Sequence, residues 1–146
     1  FPPTFEEEEQ RIADVMDAFP QIQTWFIGAH TWEAGIAAAY ANRHPDRIAG
    51  VVLWAGRLSQ DTSLAESSLP VLMVYGTLDD QNEQLVNTNR PFLPSQTIWS
   101  AIDGGNRVNF ANFGPMPRDV GAKISPQDQQ AQAAAATLKF LKQNTP

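Results

Sequence analysis

Short apolar runs alternate along the chain with longer stretches in which apolar residues recur at helical spacing. The apolar runs have the length of β-strands and are bounded by turn-forming residues. They predict four strands, at residues 24–29, 48–55, 71–75 and 97–102. The run at 48–55 is almost continuously apolar, which is typical of a strand in a parallel sheet that is covered on both faces.

Three segments have the character of helices. The first begins at an N-cap, Thr4, and has glutamates in its first turn, where the helix dipole favours negative charge. The second covers residues 32–42 and has an alanine-rich face that we expect to be buried. The third covers residues 127–141, and we expect Leu138 and Leu141 on its core face.

Strands that alternate with helices in this way form parallel βαβ units. The pattern therefore predicts an α/β fold with three layers, a mostly parallel sheet of about four strands and a single domain over residues 1–146. Residues 104–125 lack periodicity and contain several Gly, Pro and Asn residues. We interpret this segment as a long loop, and loops of that length in compact domains are often functional.

Charge and composition argue against several classes of partner. The formal net charge is -6, whereas nucleic acids and anionic membranes bind basic patches. No apolar run approaches the length of a membrane span, so we expect no membrane partner. The chain has no cysteine, which excludes disulfides and is compatible with a cytoplasmic location. Two distant histidines are poor support for a zinc site, and no cofactor or metal motif is present.

In open parallel sheets, ligands bind beyond the carboxyl ends of the strands. The segments that follow the predicted strands are residues 30–33, 55–58, 76–80 and 104–109. Within them, Thr31, Asp79 and Arg107 occur in the chain order hydroxyl, acid, later loop residue. The nucleophile, acid and base of a Ser, Asp and His triad follow the same order on sheets of this kind.

The run Ile27-Gly28-Ala29-His30-Thr31-Trp32-Glu33-Ala34 predicts a strand that passes through a sharp turn into a helix. Downstream stand His44-Pro45-Asp46-Arg47-Ile48, Leu69-Pro70-Val71-Leu72, Tyr75-Gly76-Thr77-Leu78-Asp79 and Gly104-Gly105-Asn106. From about Phe19 onward the chain resembles the α/β-hydrolase fold family, and in particular small bacterial hydrolases whose nucleophile turn reads Ile-Gly-Gly-His-Ser-Leu-Gly-Gly. The resemblance implies a hydrolase-type fold.

Positions that carry the chemistry in this family hold other residues here. Thr31 stands in place of the serine, Glu33 in place of a glycine of the turn, and Arg107 in place of the histidine. Only Asp79 matches its expected role. Because an arginine stays protonated at ordinary pH, Arg107 is no general base. The resemblance thus implies a degenerate or rebuilt triad, with Thr31 as a hindered nucleophile and His30 or Glu33 as the substitute base.

These residues also have structural interpretations. Thr31 would cap the helix that begins at Trp32, with Glu33 in its first turn. His30 would be a hydrogen-bonded structural histidine. Asp79 would be a turn residue or a salt-bridge partner of Arg107.

Three further functions stay open. The candidate pocket residues, which favour a non-catalytic site for a small apolar or aromatic ligand, are Trp32, Asn106, Arg107, Phe110 and Phe113. Alternatively, a desolvated Glu33 abstracts a proton from a flat substrate stacked on Trp32. The third function is assembly. The strands that precede the nucleophile in this family are missing, so the fold is expected to be truncated at its N-terminus, and an uncovered edge would favour a homo-oligomer or a complementing chain.

Overall fold

A four-stranded parallel sheet forms the centre of the computed structural model, which describes residues 4–79, 82–112, 114 and 119–145. The strands lie side by side in chain order, and each pairs in parallel with the next. They are β1 (Phe26–His30), β2 (Gly50–Trp54), β3 (Val71–Gly76) and β4 (Ile98–Ile102). All four predicted strands are therefore confirmed.

Four helices are present in the described residues: α1 (Phe5–Ala18), α2 (Ala34–Arg43), α3 (Asn82–Asn89) and α4 (Pro126–Asn144). Thr4 caps α1 as predicted, because its hydroxyl accepts from the backbone N–H of Glu7 while the Glu7 carboxylate accepts from the Thr4 N–H. Ser125 caps α4, and Pro126 occupies its first turn, where a missing N–H costs nothing.

The sheet is covered on both faces, which confirms the three-layer prediction. On one face, Val51 and Met73 belong to a core that includes Tyr40 of α2 and Met16 of α1. Adjacent strand residues point to the opposite face. There, Val52, Leu72 and Val74 pack in a second core with Ala133 and Phe140 of α4.

The predicted core face of α4 is wrong in one residue. Leu138 is 55% exposed, whereas Phe140 is 2% exposed. Gln129, Ala133 and Phe140 are separated by four and seven residues, so they share one helix face, and Leu138 lies on the other. Leu141 packs partly against the core, as predicted.

β1 lies at one end of the sheet, and among the described residues it pairs only with β2. Cavities flank it on both faces. One has a volume of about 400 Å³ and is lined by apolar side chains of the α4 face, including Trp54 and Leu141. Another, of about 310 Å³, lies beside Ile12 and Val15 of α1.

Among the described helices, none combines the length and the apolar composition that crossing a bilayer requires.

Candidate functional site

The turn after β1 is sharp and strained. Thr31 opens a 3-10 turn, Thr31–Glu33, with a backbone φ of +52°, in the left-handed region that a β-branched residue rarely adopts. The backbone N–H of Arg57 donates to the Thr31 carbonyl at 3.1 Å and fixes the turn to the end of β2. Neither the 3-10 turn nor α2 has a side-chain cap. The interpretation of Thr31 as a helix cap is therefore wrong.

Small residues let the turn approach the next strand end. A Cβ atom on Gly56 would lie 2.8 Å from the Cβ of Ala34, which is completely buried. Ala34, the first residue of α2, is thus the residue that packs closely against Gly56. The side chain of Glu33, one position earlier, is exposed and borders a cavity of about 480 Å³ beside Ile12 and Ile36.

His30 joins the end of β1 to the loop after β4. Its Nε2 lies 2.8 Å from the carbonyl oxygen of Arg107, and its ring lies 5.7 Å from that of Phe110. A carbonyl only accepts, so this contact places the proton of a neutral His30 on Nε2 and its lone pair on Nδ1.

The environment keeps the His30 imidazole neutral. Burial lowers the pKa of His30 from its ordinary 6.5, because the imidazolium form loses hydration. The hydrogen bond to Arg107 and the charge of Glu33 raise the pKa, and the charge of Arg107 lowers it, but burial is the largest effect. The neutral form, which is the form that accepts a proton, therefore dominates at pH 7.

Asp79 is completely buried just after β3. One of its carboxylate oxygens, Oδ1, lies 3.9 Å from an Nη atom of Arg57. Arg57 lies within residues 55–58, one of the predicted strand-end segments, but it is not among the residues predicted for the site. The available signal is a basic side chain three residues after the end of a buried strand.

The loop after β4 brings Arg107 and Phe110 to the same edge of the sheet. Asn106 is buried, and its side-chain amide donates to Asp119 at 2.8 Å and to the Val120 carbonyl at 2.9 Å. Phe110 is also buried and stacks on Trp54 with 5.7 Å between the ring centroids. The segment predicted as a long loop thus contains a short 3-10 turn, Val108–Phe110, and is anchored to its surroundings.

The candidate residues fall into separate groups. His30 contacts both the backbone of Arg107 and the ring of Phe110. Trp32 is 74% exposed and borders a cavity of about 290 Å³ with Arg57, whereas the cavity at Glu33 is a different one. Phe113 lies outside the described residues. Within the part of the chain that the structure describes, no three His, Asp or Glu side chains converge as metal ligands.

Comparisons with known proteins agree with this architecture. The sequence profile of the alpha/beta hydrolase family matches residues 7–131. No curated protein sequence is significantly similar to the chain.

Several solved structures share the fold at low sequence identity. A predicted CIB-like hydrolase from Thermoplasma acidophilum is 11% identical with a TM-score of 0.65, over 94% of this chain and 60% of its own length. The alpha/beta hydrolase MGS-MChE2, from a lagoon-sediment metagenome of Mar Chica, Morocco, is 9% identical with a TM-score of 0.68, and the match covers 99% of this chain and 73% of that protein. A thermophilic esterase from Thermogutta terrifontis is 11% identical with a TM-score of 0.68, and the match covers 98% of this chain and 74% of the esterase. The chain therefore spans three-fifths to three-quarters of the length of these proteins.

Proposed function

Because the chain belongs to the alpha/beta hydrolase family, we propose that it hydrolyses small apolar carboxylic esters weakly, with Thr31 as the nucleophile. The observation that carries the proposal is the φ of +52° at Thr31. Holding a non-glycine residue in this region costs roughly 1–3 kcal/mol, and such strain clusters at active sites. A strained turn from strand to helix is also how this fold exposes its nucleophile.

His30 is the proposed base. It precedes Thr31 in the chain, and burial lowers its pKa so that the imidazole is neutral at pH 7. The Arg107 carbonyl, 2.8 Å from Nε2, orients the ring as the acid of a triad would and leaves the basic lone pair on Nδ1. Glu33 is the weaker candidate, because its exposed carboxylate is stabilised by water.

The proposed reaction is an acyl transfer in two steps. The Thr31 oxygen attacks the ester carbonyl carbon while His30 takes the hydroxyl proton, and the alcohol then leaves with that proton. Water next attacks the acyl-threonine while His30 takes a proton from it, and the acid is released as His30 returns that proton to the Thr31 oxygen. The backbone N–H of Trp32, which follows the nucleophile, donates to the oxyanion.

The substrate preference follows from the aromatic side chains at this edge. His30 and Trp54 line the cavity of about 400 Å³ on the α4 face together with mostly apolar residues, so the surface beside the base is apolar. Burial of a short acyl chain there contributes about 25 cal/mol of binding free energy per Å² of apolar surface removed from water. The similarity to an esterase from Thermogutta terrifontis supports the choice of an ester substrate.

The test is the hydrolysis of p-nitrophenyl butyrate by the purified chain, Thr31→Ala and Thr31→Ser. We expect turnover by the parent protein, the buffer rate with Thr31→Ala, and faster turnover with Thr31→Ser, because the serine lacks the hindering methyl group. Turnover that survives in Thr31→Ala removes Thr31 from the mechanism. If no variant exceeds the buffer rate, ester hydrolysis is overturned, and a saturable thermal shift with apolar ligands would favour the binding function.

Proton abstraction is tested in the same preparation with a flat aromatic carbon acid. A rate that depends on Glu33 would vanish in Glu33→Gln. Trp32 and Glu33 border different cavities, which does not favour this alternative. We expect no turnover of the carbon acid by either protein.

A second candidate function is assembly through the edge of β1, with a second copy of the chain as the added strand. The observation that favours it is that β1 carries no Lys, Arg or Pro and has cavities on both faces. Light scattering should then detect a dimer that Ala29→Lys on β1 dissociates. Ala101→Lys on β4, at the opposite edge, is the matched control and should leave it intact. A monomeric parent protein at high micromolar concentration would contradict this function.

A further inference from the structure

Gln129 is a polar residue buried on the core face of α4. Its Oε1 accepts from the backbone N–H of Asn106 at 3.0 Å, and its Nε2 donates to the Asn106 carbonyl at 2.6 Å. One side-chain amide thus pairs with both backbone groups of a single loop residue. The other buried residues of this face, Ala133 and Phe140, are apolar. Burying a polar group is unfavourable unless it is hydrogen-bonded, so the position of Gln129 is linked to the position of the loop.

The loop is shaped to receive this amide. A Cβ atom on Gly105 would lie 2.9 Å from Oε1 of Gln129, so a larger residue there would displace the amide from its present position. The side chain of Asn106 adds its bonds to Asp119 and Val120 and accepts from the Asn109 N–H at 3.0 Å. Asn106 is consequently held through both its backbone and its side chain.

The held loop touches two strand ends of the candidate site. Arg107 directly follows Asn106, and its carbonyl is the partner of His30 Nε2 at 2.8 Å. Gly105 directly precedes Asn106, and its carbonyl accepts from the Leu78 N–H at 2.8 Å. Displacement of Asn106 would therefore move the groups that contact the ends of β1 and β3.

We infer that Gln129 is a positioning residue: by holding Asn106, it places the Arg107 carbonyl so that His30 keeps its proton on Nε2 and its lone pair on Nδ1. The inference deepens the proposed function and rests on it for the effect on turnover. The dependence of the His30 tautomer on Gln129 is measurable without any substrate.

The test uses nitrogen-15 NMR of the imidazole rings, in which long-range couplings distinguish the two tautomers. The chain has two histidines. His44, at the other end of α2, packs against Tyr40 with 4.5 Å between the tilted ring centroids and serves as an internal control. We expect the Nε2–H tautomer of His30 in the parent protein. Gln129→Met removes both hydrogen bonds and keeps a side chain of similar length. In this variant we expect the population of the Nδ1–H tautomer of His30 to rise several-fold, while the His44 signals are unchanged.

The exposed Gln132 provides the matched control on the same helix. Gln132→Met should leave both histidine spectra and the rate of ester turnover unchanged. For Gln129→Met we expect kcat to fall about tenfold at unchanged KM, because the base is misoriented while the pocket is kept.

If Gln129→Met unfolds, the measurement is made on Gln129→Leu. Leucine also lacks the acceptor for the Asn106 N–H and the donor to the Asn106 carbonyl, so the His30 tautomer should shift in this variant too. An Nδ1–H tautomer in the parent protein, or unchanged His30 signals in either folded Gln129 variant, overturns the inference. If the tautomer follows Gln129 but no ester is hydrolysed, the proposed function fails and the positioning role stands.

Discussion

Gly76 and Gly105 meet backbone to backbone where β3 and β4 end. A Cβ atom on Gly76 would lie 2.6 Å from the backbone nitrogen of Asn106 and closer still to the carbonyl group of Gly105. Real Cβ atoms essentially never approach other heavy atoms within 3.0 Å. The contact brings the loop of Asp79 against the loop of Arg107, so it sets the geometry of this edge of the sheet.

Gly76→Ala should consequently destabilise the protein. The added methyl group meets the peptide unit between Gly105 and Asn106, which no rotamer change can move, so we expect a loss of about 3 kcal/mol in the free energy of unfolding. Urea titration followed by circular dichroism measures it. Gly121→Ala is the matched control, because a Cβ there meets nothing within 4 Å. A Gly76→Ala protein as stable as this control would show that the two loops separate easily.

Sequence patterning predicted the central sheet well because its strands are apolar on both faces. Val51 and Val52 point into different cores, so the strand is apolar throughout and is recognised without any knowledge of its neighbours. Strand ends were less certain: β1 begins at Phe26, two residues later than predicted. Thr24 and Trp25 have strand-forming side chains, and where the pairing with β2 begins depends on the partner strand.

The sequence pattern did not predict features that depend on partners distant in sequence. The helix α3 contains only two apolar residues in eight, so it has no detectable period. Arg57 and Gln129 were missed as site residues because their roles come from Asp79 and Asn106, which only the fold brings near. The position of Thr31 and the sharp turn around it were predictable from the motif, because they depend on residues adjacent in sequence.

The two faces of α4 provide a test of the corrected burial. Phe140 packs edge to face on Phe26 at 6.1 Å between ring centroids, and Phe140→Ala should cost about 3–5 kcal/mol of unfolding free energy. Leu138→Ala removes an exposed side chain from the same helix and should change stability by less than about 0.5 kcal/mol. Equal losses in thermal or urea unfolding would contradict the assignment of the buried face.

Strain at Thr31 predicts a trade-off between stability and turnover. Thr31→Gly removes the Cβ that makes a φ of +52° unfavourable, so we expect about 1 kcal/mol more stability and a melting temperature about 3 °C higher. Thr31→Ala keeps the Cβ and should gain less. Both variants lack the hydroxyl and should not hydrolyse ester. Calorimetry that shows no difference between the two variants would mean that the turn is unstrained.

The lowered pKa of His30 predicts the pH dependence of ester hydrolysis. Only the neutral imidazole accepts the Thr31 proton, so kcat/KM should rise with pH and reach half its plateau below pH 6.5, the ordinary value for a histidine. Rates between pH 4.5 and 8 check this, after correction for the buffer-catalysed reaction. His44→Gln, the control for the other histidine, should leave the midpoint unchanged. A midpoint above pH 6.5 would exclude the buried His30 as the base.

The same shift predicts how stability depends on pH. Burial disfavours the imidazolium in the folded protein, so between the folded pKa and 6.5 the unfolded chain binds more protons than the folded one. The free energy of unfolding therefore rises with pH through this window. The contribution of neutral His30 has its full value above pH 6.5 and is lost as the pH falls toward the folded pKa. In His30→Gln this part of the slope should disappear, because glutamine does not titrate. The measurement is the urea midpoint of both proteins from pH 5 to 8. If the midpoint changes with pH equally in the two proteins, His30 is as hydrated in the folded protein as in the unfolded chain.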